Sequence, residues 1–145
     1  MATIERSIDI SAPVEEVFRF AADWQNWTKF FEGVSNFKPL TKTTRGSGSK
    51  FAYRARMLGI SVPVETEIRE FEENRGWTGV CGKGLEHRTQ WTFVSLDGKT
   101  KFTYGLQYRM PVPIVGNLLD RLFIRRQWER IIERSLTNLK MHFEN

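Results

Sequence analysis

The chain has 145 residues, of which 40% are hydrophobic and 27% charged, and these values predict one globular domain, residues 1–145, with its own core. Its net charge of +5 permits weak attraction to anions, but the basic residues are dispersed without a nucleic-acid-binding motif, so we expect no nucleic-acid partner. A single cysteine, Cys81, excludes an intrachain disulfide and fits a reducing compartment. With no secretory signal and no bilayer-length apolar stretch, the expectation is a cytoplasmic protein without stable membrane insertion.

One strand and two short helices are predicted at the start of the chain. Polar and apolar residues alternate over residues 3–11, which is typical of a strand. Ser11 is a candidate N-cap for the first helix, with Pro13 in its first turn. Asp23 can cap a second helix that ends at Gly33. The apolar faces of the two helices are formed by Val14, Val17, Phe18 and Ala21, and by Trp24, Trp27, Phe30 and Phe31.

Residues 34–110 predict an antiparallel meander of strands. Apolar residues alternate with polar ones in several segments, and glycine-containing turns separate these segments. The clearest turn is Asp97-Gly98, a dipeptide that suits a type I′ hairpin. One face of the sheet is apolar and the other polar, so we expect a cover on one side only.

A long amphipathic helix, roughly Pro113 to Phe143, is predicted to close the chain. An antiparallel sheet and one helix indicate an α+β fold in which the sheet curls around the helix and leaves a space between them. The apolar stripe of this helix passes through Arg125 and Glu129, and its apolar members are Val115, Leu118, Leu122, Ile132, Leu136, Leu139 and Phe143.

These segments resemble the SRPBCC superfamily, also called START-like or birch-pollen-allergen-like. Within it, the chain is similar to small bacterial polyketide cyclase/dehydrase and lipid-transport proteins. The resemblance covers essentially the whole chain and rests on SAPVEEVFRFAADWQNWTKFFEGV (11–34), GSGSKFAYRARMLG (46–59), VPVETEIREFEENRGW (62–77) and WTFVSLDGKTKFTYGLQYRMP (91–111). It implies a helix-grip fold, in which a curved antiparallel sheet of about seven strands wraps a long C-terminal helix and two short helices follow strand 1.

The resemblance also implies a ligand cavity between the sheet and the C-terminal helix. The residues that alternation and helical spacing place on its walls, and that we predict to bind ligand, are Phe51, Tyr53, Met57, Val64, Thr66, Trp77, Trp91, Phe93, Tyr104, Tyr108, Leu118 and Leu122. The alternative is that these large side chains fill the space as an ordinary packed core.

Three ionisable residues are candidates for catalysis, if the protein is an enzyme. His87 shares a strand face with Trp91 and could transfer a proton, or it could be a strand-end histidine near solvent. Arg125 and Glu129 are four residues apart, so they either form a surface pair, which we favour, or face the cavity. Cys81 is better explained as a structural thiol than as a nucleophile.

The preferred functional hypothesis is a module that binds a hydrophobic small molecule such as a lipid, a quinone or a polyketide-like compound. The alternative is a cyclase or dehydratase that uses the same cavity. A protein-interaction role has the least support. No sequence pattern indicates a metal or a nucleotide cofactor, so none is expected. The basic, aromatic segment of the last helix suggests at most transient membrane contact.

Overall fold

The computed structural model describes residues 2–57, 59–109 and 118–144, without the side chains of Met57 and residues 118–121. In chain order the elements are β1 (Ala2–Ile10), α1 (Val14–Ala21), a 3-10 turn (Trp24–Asn26), α2 (Trp27–Phe30), β2 (Val34–Pro39), β3 (Lys50–Met57), β4 (Ile60–Glu72), β5 (Gly76–Gly84), β6 (His87–Leu96), β7 (Lys99–Tyr108) and α3 (Leu118–Glu144).

All seven strands form one antiparallel sheet in the order β1-β7-β6-β5-β4-β3-β2. Strands adjacent in sequence are neighbours from β2 to β7, and β1 closes the order by pairing with β7. The curved sheet, the long C-terminal helix and the two short helices after β1 confirm the helix-grip fold. No membrane-spanning helix is found among the described residues.

Local signals in the sequence explain one helix start and one turn. The Asp23 carboxylate accepts a hydrogen bond from the Gln25 amide at 3.0 Å, as its cap position predicts. Asp97 and Gly98 both have positive φ, which confirms the expected I′ geometry. The Ser11 prediction is wrong, because α1 begins after Pro13 and has no side-chain cap. The Ser11 amide instead donates to Glu144, at the end of α3.

The buried face of α3 is rotated from the predicted stripe in its first half. Leu122 is 49% exposed, so the prediction that it faces the interior is wrong. The buried positions there are Ile124 and Trp128, two and six residues further on. From Ile132 onward the predicted stripe is confirmed at Leu136 and Leu139. The expected start of the helix at Pro113, the side chain of Leu118 and the position of Val115 lie outside the described residues.

An ion-pair network along one side of α3 holds the helix against β1. The Arg6 guanidinium lies 3.0 Å from the Glu129 carboxylate, and the Arg125 guanidinium lies 3.0 Å from its other oxygen. Arg125 also donates to the Thr3 carbonyl at 2.9 Å. Exposed pairs of this kind stabilise a fold by about 0.2–1 kcal/mol each. The network therefore orients the helix, while buried apolar side chains supply most of the packing energy.

Candidate functional site

Two neighbouring pockets lie on the concave side of the sheet. The first, here called the sheet pocket, has a volume of about 70 Å³ and lies under α2 and β2. Its lining residues are Trp27, Phe31, Val34, Phe37, Tyr53, Thr66, Ile68, Trp77, Gly79, His87, Thr89, Trp91 and Tyr104. The second, the helix pocket, has a volume of about 50 Å³ and reaches α3; it is lined by Phe31, Glu32, Val34, Tyr53, Ala55, Leu85, His87, Thr89, Tyr104, Leu106, Tyr108, Trp128, Ile131 and Ile132.

Aromatic rings occupy much of the space between the sheet and its covering helices. Trp77 and Trp91 are stacked with ring centroids 4.5 Å apart. Phe31 packs against Trp91 at 5.3 Å and against Tyr104 at 5.0 Å. A water molecule needs roughly 10–15 Å³ of such space, so each pocket has room for only a few. The site thus combines the two alternatives, a largely packed aromatic core and a small open cavity, and a larger ligand requires side chains to move.

His87 is the main polar group that the two pockets share. It is only 5% exposed, and its Nδ1 lies 2.7 Å from the Leu85 carbonyl oxygen. Because a carbonyl can only accept, Nδ1 carries the proton and Nε2 presents a lone pair. Nε2 is buried and has no hydrogen-bond partner among the described residues. Burial lowers the pKa of His87, and the bond to Leu85 opposes that shift, so the ring is neutral at pH 7.

The hydroxyl groups of three tyrosines add further polarity to the pocket walls. Tyr53 and Tyr104 line both pockets, and Tyr108 lines the helix pocket. Burial raises the pKa of all three, and Cys81 adds to the effect at Tyr53. At Tyr108, nearby Arg125 opposes the effect of burial, but the pKa is still raised. The phenols therefore stay protonated at neutral pH and can donate hydrogen bonds to a ligand oxygen.

The chain has three tyrosines in all, and an alkaline titration of the folded protein should show none with an ordinary pKa. Unfolded tyrosines ionise near pH 10, and each of these has a pKa above that in the folded state. A raised folded pKa stabilises the fold below pH 10, and this stabilisation is lost as the pH rises above it. We expect less tyrosinate absorbance at pH 10 in folded protein than in a urea-unfolded control, in which the tyrosines are about half ionised at that pH. Half-ionisation of even one tyrosine at pH 10 in folded protein would contradict the pocket geometry.

The predicted ligand-binding residues divide into three groups. Six of them line one or both pockets, namely Tyr53, Thr66, Trp77, Trp91, Tyr104 and Tyr108. Three others, Phe51, Val64 and Phe93, are buried in the core without lining either pocket. Leu122 is exposed, and the side chains of Met57 and Leu118 lie outside the described residues.

Of the three catalytic candidates, only His87 lines the pockets. The side chains of Arg125 and Glu129 are 40% and 26% exposed and face β1. This geometry agrees with the surface-pair interpretation of the two residues. Cys81 is half-buried, and its thiol donates to the same Leu85 carbonyl at 3.3 Å.

Two residues that line the pockets were not among the predicted ones, and the structure explains the position of each. Trp128 reaches the helix pocket because of the rotated face of α3. Gly79 lines the sheet pocket, and a Cβ there would lie 2.5 Å from the Thr89 hydroxyl oxygen and 3.2 Å from that of Thr66. A glycine in an otherwise alternating strand is a signal for such a close approach, and that signal was present in the sequence.

Known proteins share this architecture. The family model of polyketide cyclase / dehydrase and lipid transport proteins matches residues 1–144. A crystal structure of a protein from Thermus thermophilus has a TM-score of 0.83 at 21% identity, over 97% of this chain and 95% of that one. A START superfamily protein from Mycobacterium smegmatis has a TM-score of 0.76 at 15% identity, over 98% and 97%.

The di-domain ARO/CYC BexL from the BE-7585A biosynthetic pathway is also similar, with a TM-score of 0.73 at 18% identity. The match covers 99% of this chain and 47% of that one. At such identities the structural similarity shows a common fold. No curated protein is significantly similar to the chain in sequence. Because the family model spans nearly its whole length, the chain belongs to the polyketide cyclase/dehydrase and lipid transport family, within the SRPBCC superfamily.

Proposed function

We propose that the protein binds a hydrophobic small molecule, such as a lipid, a quinone or a polyketide-like compound, in the two pockets. The observation that carries the proposal is that His87, whose buried Nε2 has no hydrogen-bond partner among the described residues, lines both of these largely aromatic and aliphatic pockets. An unsatisfied buried polar atom costs about 1–3 kcal/mol of stability. A ligand that hydrogen-bonds to Nε2 would remove this cost, which would explain why a histidine occupies this position.

The pocket walls suit such a ligand. Apolar side chains supply most of the affinity, at about 25 cal/mol for each Å² of apolar surface removed from water. The few polar groups, His87 and the tyrosine hydroxyls, would fix its orientation. The family to which the chain belongs includes lipid transport proteins, which supports a binding role.

A second candidate is a cyclase or dehydratase that uses the same pockets. Neutral His87, with a free Nε2 lone pair, is a competent general base, and Tyr53 and Tyr104 could donate to a substrate carbonyl. The family description and the ARO/CYC neighbour support this alternative. Against it, enzyme sites usually bring several ionisable groups together, and here Arg125 and Glu129 face β1 instead.

Native mass spectrometry of protein purified without detergent, followed by organic extraction, tests the proposal. We expect a stoichiometric hydrophobic adduct that denaturation releases. Thr89→Phe is the control variant, because Thr89 lines both pockets and a ring there would fill the shared space. A folded Thr89→Phe variant should carry no adduct.

The same extract separates binding from catalysis. The recovered compound is incubated with fresh protein and its mass is followed. An unchanged mass supports binding alone, whereas loss of water that depends on His87 supports the dehydratase alternative. If purified protein is free of any adduct and the extract of its source cells supplies none on incubation, the binding proposal is wrong.

A further inference from the structure

The hydrogen-bonding capacity of His87 limits the chemistry of the ligand. Its Nδ1 proton is already donated to the Leu85 carbonyl, so the free Nε2 can only accept. An ether or a ketone oxygen cannot satisfy it, because both partners would be acceptors. A ligand oxygen next to Nε2 must carry a proton, as an alcohol, a phenol or an enol does.

The charges around the pockets limit the ligand further. Among the described residues that line either pocket, the only ordinarily charged side chain is Glu32. Its carboxylate lies 3.4 Å from Arg134 and accepts a hydrogen bond from Asn138 at 3.0 Å. No described lysine or arginine lines the sheet pocket or the helix pocket, so a ligand carboxylate buried there would have no cationic partner among the described lining residues.

We infer that the pockets select a neutral hydrophobic molecule bearing a hydroxyl group that donates to His87 Nε2, and that they discriminate against carboxylates such as free fatty acids. This inference rests on the proposed binding function and specifies its ligand class. The neutral tyrosine hydroxyls are consistent with it, since they can donate to a second, carbonyl oxygen of the same molecule.

Three probes of one shape test the inference by calorimetry at neutral pH, namely 1-naphthol, 1-methoxynaphthalene and 1-naphthoate. Only the naphthol can donate, and only the naphthoate is charged. We expect the naphthol to bind about tenfold or more tightly than the ether, which corresponds to the usual value of one buried hydrogen bond. The naphthoate should bind more weakly than either neutral probe.

The variant His87→Leu should lower the ratio of naphthol to ether affinity to about one. The matched control is His142→Leu, which changes the other histidine of the chain, an exposed residue stacked on Phe20. This control should keep the ratio of the unmodified protein. If His87→Leu does not fold, nitrogen-15 NMR of the unmodified protein replaces it. The Nε2 resonance of His87 should then move on addition of naphthol and stay in place with the ether.

The outcomes separate the inference from the proposed function. If none of the three probes binds, the inference fails, while native mass spectrometry of the extracted protein still decides the proposed function. If the naphthol and the ether bind equally well to the unmodified protein, or if the naphthoate binds most tightly, the inference is overturned while the binding function stands. An unmoved Nε2 resonance in the presence of bound naphthol also overturns it.

Discussion

Replacing Gly76 by alanine is expected to lower the free energy of unfolding by about 3–5 kcal/mol, which is near the upper end for single substitutions. Gly76 has a φ of +141°, where side chains with a Cβ are strained. Its added Cβ would lie 1.8 Å from the Trp91 carbonyl oxygen and 2.9 Å from the carbonyl carbon. These are backbone atoms of the paired strand, so relief requires β5 and β6 to separate where Trp77 faces Trp91.

Gly105→Ala is the matched control, because it changes the same residue type within the same sheet. Gly105 lacks a positive φ, and a Cβ there would meet only the Gln90 Cβ at an ordinary 3.8 Å. Since glycine weakens a strand by roughly 0.5–1 kcal/mol relative to alanine, this variant should be neutral or slightly more stable. Urea unfolding of both variants measures the difference. Equal midpoints for Gly76→Ala and the unmodified protein would show that the close approach of β5 to β6 is wrong.

The inner face of the sheet was predictable because strand alternation has a short and strict period. On β7, Phe102, Tyr104, Leu106 and Tyr108 are all buried, as the alternation indicates. The pairing of β6 with β7 is regular from His87 to Leu96, so no bulge interrupts that inference. The pairing of β4 with β5 is irregular between Glu65 and Thr66 and again after Arg69, yet Val64 and Ile68 are both buried.

The helix and the details of the site were harder to predict from the sequence. In the first half of α3, apolar Leu122 and Phe123 are exposed, whereas charged Arg125 and Glu129 lie beside β1 and pair with it. Helical spacing alone cannot choose between faces when both carry apolar and charged residues. Which aromatic rings leave space is likewise decided by three-dimensional packing. Phe93 and Trp91 share a strand face, yet only Trp91 lines a pocket.

Replacing Trp91 by alanine is expected to cost about 3–5 kcal/mol of stability and also to enlarge the sheet pocket. Trp91 is 8% exposed and packs against Trp77, Phe31 and Tyr104. It lines the sheet pocket directly, so removal of the indole joins its volume to the existing space. Apolar cavities of this kind bind aromatic molecules. A ligand that occupies the cavity of the folded state raises stability by RT ln(1 + L/Kd), where L is the free ligand concentration and Kd its dissociation constant.

Phe93→Ala is the control for the Trp91→Ala experiment. Phe93 is 3% exposed and packs against Phe18 and Phe102, but it lines neither pocket. Its loss should also cost about 3–5 kcal/mol. Thermal unfolding of both variants with and without 1-naphthol distinguishes the pocket wall from the core behind it. Naphthol should raise the melting temperature of Trp91→Ala by more than it raises that of the unmodified protein. For Phe93→Ala, the rise should be no larger than for the unmodified protein. An equal rise in the two alanine variants would mean that Trp91 is an ordinary core residue, and that the space beside it does not belong to a binding site.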